Sequence, residues 1–211
     1  MSFLGKVQAR CPNGCSPRDV EIWSFVDGGR DGPLRESLLA GDLNLVSCAE
    51  CGAVFCPEAT VIYYDAAAKM LAFVFPESYR SEETLWRKKM QEDYAQMKSI
   101  LGGKSPAVLE PQIYFGIDPL RRQLQVEEDL GAEVEIAEVL GREMKLVFYP
   151  VDRTFARSQN LPWNLPCSGP ASLASAAAGL KSLLKANNRL EGYRRWQKAL
   201  ASLRAMPPGT L

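Results

Sequence analysis

The chain has 211 residues, with 25 Lys and Arg balanced by 25 Asp and Glu, six Cys and no His. Zero net charge argues against a whole-protein basic field for gripping nucleic acid or an anionic membrane, while the length is enough to bury a real core. The absent His excludes Ser-His-Asp and Cys-His catalysis, His-bearing zinc sites and an imidazole pH switch.

In chain order, Val7 to Arg10 reads as a strand leading into a first Cys pair. Val20 to Val26 alternates polar and apolar residues before a turn at Asp27-Gly28-Gly29, which predicts a second strand. Pro33 with Leu34, Leu38 and Leu39 predicts a short helix stopped at Gly41. Leu43-Asn44-Leu45-Val46 predicts a strand into a second Cys pair. Val61 to Tyr64, a turn at Asp65 to Lys69, and Met70 to Phe75 predict a hairpin.

Ser81 is a fitting N-cap for a helix whose apolar face is Leu85, Trp86, Met90, Tyr94, Met97 and Leu101, closed by Gly102-Gly103. Ile113-Tyr114-Phe115 is a short apolar run. Asp118-Pro119 opens a helix carrying Leu120, Leu124 and Leu130, and Val134 to Leu140 predicts another that ends at Gly141. Met144 to Tyr149 reads as a strand, and Pro150 to Pro170, with its prolines, as a loop. Residues 171–211 are Ala- and Leu-rich and helical, either one helix or a hairpin broken at Asn187-Asn188. The resulting fold class is α+β. Its expected parts are an antiparallel β domain over 1–76, a mainly helical region over 77–165, and a helical C-terminal segment over 166–211.

The strongest chemical signal is Cys11-Pro12-Asn13-Gly14-Cys15 followed by Cys48-Ala49-Glu50-Cys51-Gly52. The N-terminus shows no basic-then-apolar leader, no apolar run of about 18 residues follows, and no lipidation box is present. The expected compartment is therefore the cytoplasm, without membrane association. There, close Cys pairs read as metal ligands rather than disulfides. A tetrahedral zinc site takes four thiolates at about 2.3 Å, and two tight turns supply them with little reorganisation. Cys11, Cys15, Cys48 and Cys51 are the candidate ligands for one structural Zn²⁺, a closed site with no open position for activating water. Two other readings stand beside it: unrelated buried thiols, or a redox pair at Cys48 and Cys51. Cys56 reads as a core thiol, or as a substitute ligand.

These residues resemble the CpXC domain family, a zinc-ribbon-like group of bacterial proteins without an established biochemical role. The features that carry the resemblance are Cys11-Pro12 with Cys15, and Leu43-Asn44-Leu45-Val46-Ser47-Cys48-Ala49-Glu50-Cys51-Gly52. It continues through Tyr63-Tyr64-Asp65 and Met70 to Pro76, and more weakly into Asp118 to Leu140, covering about residues 5–145. The first pair carries an extra residue, and Ala49 stands where the family usually has Pro. The resemblance implies a fold and supplies no activity.

Three sharper-looking motifs fail. Gly102-Gly103-Lys104-Ser105 lacks the earlier Gly of a phosphate-binding loop, because position 98 is Lys98, and Pro106 blocks the required helix. Glu127-Glu128-Asp129 with Glu133, Glu135 and Glu138 reads as a solvated helix face rather than a cation site. Pro166-Cys167-Ser168-Gly169 has no His to activate a nucleophile and reads as a loop thiol.

From Pro166 onward, Lys181, Lys185, Arg189, Arg194, Arg195, Lys198 and Arg204 face a single acidic residue, Glu191. Leu173, Leu180, Leu184, Leu190, Tyr193, Trp196, Leu200 and Leu203 recur at helical intervals, making the segment basic and amphipathic. It reads as a helix packed on the body, as a dock for an acidic protein surface, or as a nucleic-acid contact. The functional expectation is a non-enzymatic, zinc-stabilised protein-interaction or assembly module with an unidentified protein partner. The alternatives are a nucleic-acid-binding zinc ribbon using Arg194, Arg195, Lys198 and Arg204, and a thiol-disulfide redox protein. Because metal binding is linked to folding, chelation is expected to unfold residues 1–76 first.

Overall fold

The structure, a computed structural model, describes residues 1–100 and 109–205, with side chains described outside 97–100 and 203–205. The glycine pair and phosphate-loop look-alike at 102–105 and the final Pro207-Pro208-Gly209 lie outside the described residues, as do the side chains of Met97, Leu203 and Arg204. The chain divides into two compact units, Met1–Leu124 and Gln125–Leu211.

In the first unit, strand β1 (Phe3–Ala9) turns into β2 (Arg18–Asp27), and helix α1 (Gly32–Ala40) follows. Pro33 presets the first turn of α1, and Gly41, at φ +85°, ends it in the left-handed conformation. Short strands β3 (Val46–Ser47) and β4 (Val54–Phe55) pair antiparallel. Strands β5 (Val61–Asp65) and β6 (Met70–Phe75) form the expected hairpin. A 3₁₀ turn over Glu77–Glu82 leads into α2 (Glu83–Ile100), and β7 (Pro111–Phe115) precedes α3 (Ile117–Glu143).

The main sheet has strand order β1-β2-β5-β6-β7. It is mixed, which corrects the expectation of an antiparallel domain: β2 pairs parallel with β5, and β6 parallel with β7. The reason lies in the connections. Strands β2 and β5 are joined through α1 and the β3–β4 hairpin, and β6 and β7 through α2. Such crossovers, unlike tight turns, bring the next strand back in the same direction.

Strand β6 is buried at all six positions. Its alternation sends Met70, Ala72 and Val74 to one face with Val26, Leu38, Val61, Tyr63, Leu120 and Leu124. Leu71, Phe73 and Phe75 go to the other face, with Met90, Leu109 and Phe115, and with Trp86 and Tyr94 partly buried there. A strand covered on both sides shows a continuous apolar run instead of the polar alternation of β2. Each fully buried side chain of this kind contributes about 1.5–3 kcal/mol. Leu85, expected on the apolar face of α2, is exposed instead.

The second unit contains the rest of α3, strand β8 (Val147–Pro150), helix α4 (Arg153–Ser158), strand β9 (Asn164–Cys167), and helices α5 (Leu173–Ala186) and α6 (Glu191–Ala205). Strands β8 and β9 pair antiparallel. The expected loop over 150–170 thus holds a helix and a strand, and the C-terminal segment is two helices. The two expected helices of 118–141 are one. Gly131 does not break α3 but lies against Trp163, and Gly141 lies against the Phe148 ring. The acids of α3 are less solvated than expected. Glu127 pairs with Arg157, Glu133 accepts the Gly192 N–H at 2.8 Å, and Glu138 accepts from Asn164 at 2.9 Å. Tyr193 donates to Asn164 within the core, and the Trp196 indole donates to the Pro162 carbonyl at 2.9 Å.

Gly179 of α5 sits directly on β9, where an added Cβ would lie 2.4 Å from the Pro166 carbonyl oxygen. Alanine gains about 1 kcal/mol of helix propensity there. A Cβ so close to backbone that cannot swing aside puts the overpacking cost in the upper part of its usual range, about 2–3 kcal/mol, which decides the sign. Gly179→Ala is therefore expected to lower stability by about 1–2 kcal/mol in a denaturant titration. Unchanged or raised stability would contradict this packing.

Candidate metal centre

Cys11 follows the end of β1, and Cys15 precedes β2, whose register pairs Ala9 with Arg18. The residues between them form a tight turn in which Gly14 N–H donates to the Cys11 carbonyl at 3.0 Å. Gly14 sits at φ +77°, a conformation L side chains rarely adopt. Cys48 and Cys51 close the β3–β4 hairpin. There Cys48 N–H donates to the Ala53 carbonyl at 2.8 Å, and Gly52 N–H, at φ +72°, donates to the Cys48 carbonyl at 2.9 Å. A Cβ on either glycine would meet nothing within 4 Å, so the constraint on both is conformational rather than steric.

The two turns are tied to each other. Ser16 N–H donates to the Glu50 carboxylate at 3.2 Å, and the Arg18 guanidinium donates to the Ser47 carbonyl. The hairpin is also tied to the main sheet by Asn44. Its side chain accepts from Trp23 N–H at 2.7 Å and donates to the Trp23 carbonyl at 3.0 Å. An amide side chain thereby completes part of β2 that β5 does not reach. Asn44 takes φ +64°, so the expected strand over Leu43 to Val46 is a turn, and regular pairing begins only at Val46. Within it Leu43 is buried in the core and Leu45 is exposed.

These ties bring the sulfurs of Cys11, Cys15, Cys48 and Cys51 within 4.8 Å of one another. The Cys11 and Cys51 sulfurs are 3.6 Å apart. A tetrahedral site with metal–sulfur arms of about 2.3 Å has sulfur–sulfur edges of about 3.8 Å, so the donor set fits one such ion. Cys11 and Cys48 are buried, Cys15 is partly buried and Cys51 is exposed. Asn13 supplies two further donors, its backbone N–H to Cys11 and its side-chain amide to Cys51, each at 3.4 Å. Sequence reasoning missed both asparagines. Asn13, at the tip of a Pro-Asn-Gly turn between two cysteines, carried a readable signal.

Without a cation, Cys11, Cys15 and Cys51 hold their protons unevenly. The Ala53 N–H, then the Asn13 amide and the Cys11 thiol, draw Cys51 down to about 6. Cys15 is pushed far above the usual thiol range, first by its hydrogen bond with Cys51 and then by burial. At Cys11 the Asn13 N–H pulls downward, but burial and the neighbouring Cys51 and Cys48 thiols outweigh it, and the net shift is upward. Four thiolates this close repel strongly, and a divalent cation removes that repulsion. The cluster can hold a metal ion.

The remaining cysteines stand apart from the cluster. Cys56, expected in the core, is exposed just beyond β4 and lines a cleft of about 460 Å³ with Gln8, Arg10, Pro12, Phe55 and Glu58. Cys167, expected in a loop, is buried in β9 at 1% exposure. Neither belongs to the group of four. Among the described residues, no helix is long and apolar enough to cross a membrane.

Comparison with curated proteins and with solved structures returned no match to this chain. The family model described as CpXC protein matches residues 9–138, a span that contains both cysteine turns, the whole β2-β5-β6-β7 part of the sheet and most of α3. The chain belongs to the CpXC family.

Proposed function

We propose that Cys11, Cys15, Cys48 and Cys51 hold one structural zinc ion in a zinc-ribbon-like pair of turns, and that the chain is a non-enzymatic protein-interaction or assembly module. The observation that carries the reading is the convergence of four sulfurs from two separate turns within 4.8 Å. An all-cysteine set of this size matches closed structural sites, in which the metal replaces a core too small to hold two turns together. Zinc bound there supplies folding energy and no open coordination position.

The main sheet narrows what that folding energy holds. With cores on both faces, it carries its own hydrophobic stabilisation. The β3–β4 hairpin does not, because its strands are two residues each. Metal loss is therefore expected to release the two turns and β3–β4 rather than to unfold all of 1–76.

The redox reading is weakened by the position of Cys48 and Cys51, which face two more thiols rather than one another alone. For the nucleic-acid reading, two of its arginines are already engaged. Arg194 pairs with Glu191 and donates to the Asn188 carbonyl, and Arg195 donates to the Asn160 carbonyl at 2.7 Å. Lys198 is exposed and remains available.

Purified protein is expected to contain one zinc per chain by elemental analysis, and Cys48→Ser to lose it. Zinc-free wild-type protein, or full zinc content in the variant, would refute the site. On chelation, hydrogen exchange should rise at residues 11–18 and 46–56 while the amides of β5 and β6 stay protected. Uniform loss of protection across the sheet would show instead that the metal holds the whole unit.

A further inference from the structure

Two faces of the second unit are opposite in charge, and each carries exposed apolar surface. Between residues 125 and 143, α3 carries seven carboxylates and one Arg. Residues 173–205, the span of α5 and α6, carry seven basic residues and one acidic residue. On α3 the buried positions Leu130, Val134, Ala137 and Gly141 recur at helical spacing and define the inward side. Ala132, Ile136 and Val139 lie on the opposite side, and Ile136 and Val139 are 47% and 55% exposed. Exposed Asp129, Glu135 and Glu143 flank them. This is a second apolar stripe, edged with acid, on a helix that already buries its first.

The matching surface is the groove between α5 and α6, of about 250 Å³, lined by Ala177, Leu180, Lys181, Gln197, Leu200 and Ala201. Lys185 lies one turn beyond Lys181 on the same row of α5 and is exposed, as is Lys198 beside the groove on α6. None of these three lysines pairs with a carboxylate among the described residues, and neither do Glu135 and Glu143. Small residues at Ala177 and Ala201 let a helix approach closely, and the lysines are placed to meet its carboxylates. Because the stripe points away from the core that α3 shares with α5 and α6, it cannot enter the groove of its own chain. A second copy can supply it.

We propose that the Ile136–Val139 face of α3 in one copy docks into the α5–α6 groove of a second copy, as an amphipathic helix in a basic-rimmed apolar groove. This gives the assembly role proposed above a specific partner and rests on that reading. Each copy offers one stripe and one groove, so the contact either closes reciprocally as a two-fold dimer or continues head to tail into a ring or an open chain. Two stripes cannot pair with each other, since their carboxylates repel. The attraction between exposed charges weakens as salt rises.

The test uses full-length, zinc-loaded protein in sedimentation velocity at micromolar concentrations and low salt. Wild type is expected to form a dimer or larger species, with the average mass falling toward the monomer at high salt. Ile136→Asp with Val139→Asp removes the stripe and leaves the groove, while Lys181→Glu with Lys185→Glu does the reverse. Each variant alone should be monomeric, and an equimolar mixture of stripe-bearing and groove-bearing variants should form a one-to-one dimer that stops there. Unchanged thermal melting and zinc content in both variants confirm that they fold. A monomeric wild type, or assembly that survives both pairs of substitutions, overturns the proposal. So does a monomeric wild type whose lysine face binds a single-stranded oligonucleotide, which would reassign the basic surface. Zinc stoichiometry is read in the same samples, so a failed metal site and a failed self-association are told apart.

Discussion

Four thiols held within 4.8 Å of one another are the constraint on which the N-terminal unit turns. As thiolates they repel, and as thiols they leave buried sulfur poorly solvated, so the geometry is favourable mainly when a cation sits among them. The chain contributes to that geometry in several small ways. Two glycines adopt positive φ, Asn13 aims two donors at sulfur, and Glu50 and Arg18 link one turn to the other. None of these contacts is strong alone, and all of them point at the same place.

The sheet is the platform for this arrangement, and it positions the two turns differently. Cys11 and Cys15 are placed directly by the β1–β2 pairing, whose last register pair is Ala9 with Arg18. Cys48 and Cys51 belong to a separate two-stranded element outside the main sheet. Its orientation is set by Asn44, which bonds both polar groups of Trp23 while Leu43 anchors beside it in the core. A polar side chain that substitutes for a missing strand explains why a Leu-Asn-Leu segment precedes the second turn. The first Leu is buried, the Asn bonds the sheet and the second Leu faces out.

Local features were legible in the sequence, and long-range ones were not. The Cys spacing, the α1 start at Pro33 and its stop at Gly41, and the β5–β6 hairpin each depend on a few neighbouring residues, and each could be read directly. Leu43 to Val46 looked like a strand because its apolar alternation hides an Asn in the left-handed conformation. Residues 118–141 read as two helices rather than one, since nothing in the local sequence shows that Trp163 packs against Gly131 within α3. The parallel pairings of β2 with β5 and of β6 with β7 depend on crossovers of many residues, beyond the reach of any periodicity. Cys56 and Cys167 were each assigned the other's environment. A single apolar thiol carries no directional pattern, and tertiary packing alone decides which one is covered.

The absence of His gives the account its sharpest edge, because it leaves cysteine sulfur as the soft donor available to a tetrahedral ion in this chain. The most direct measurement is X-ray absorption at the zinc edge of the purified, full-length protein. The account predicts a single shell of four sulfurs at about 2.3 Å, with no lighter donor. A shell containing oxygen or nitrogen, or fewer than four sulfurs, would contradict a closed structural site built from Cys11, Cys15, Cys48 and Cys51.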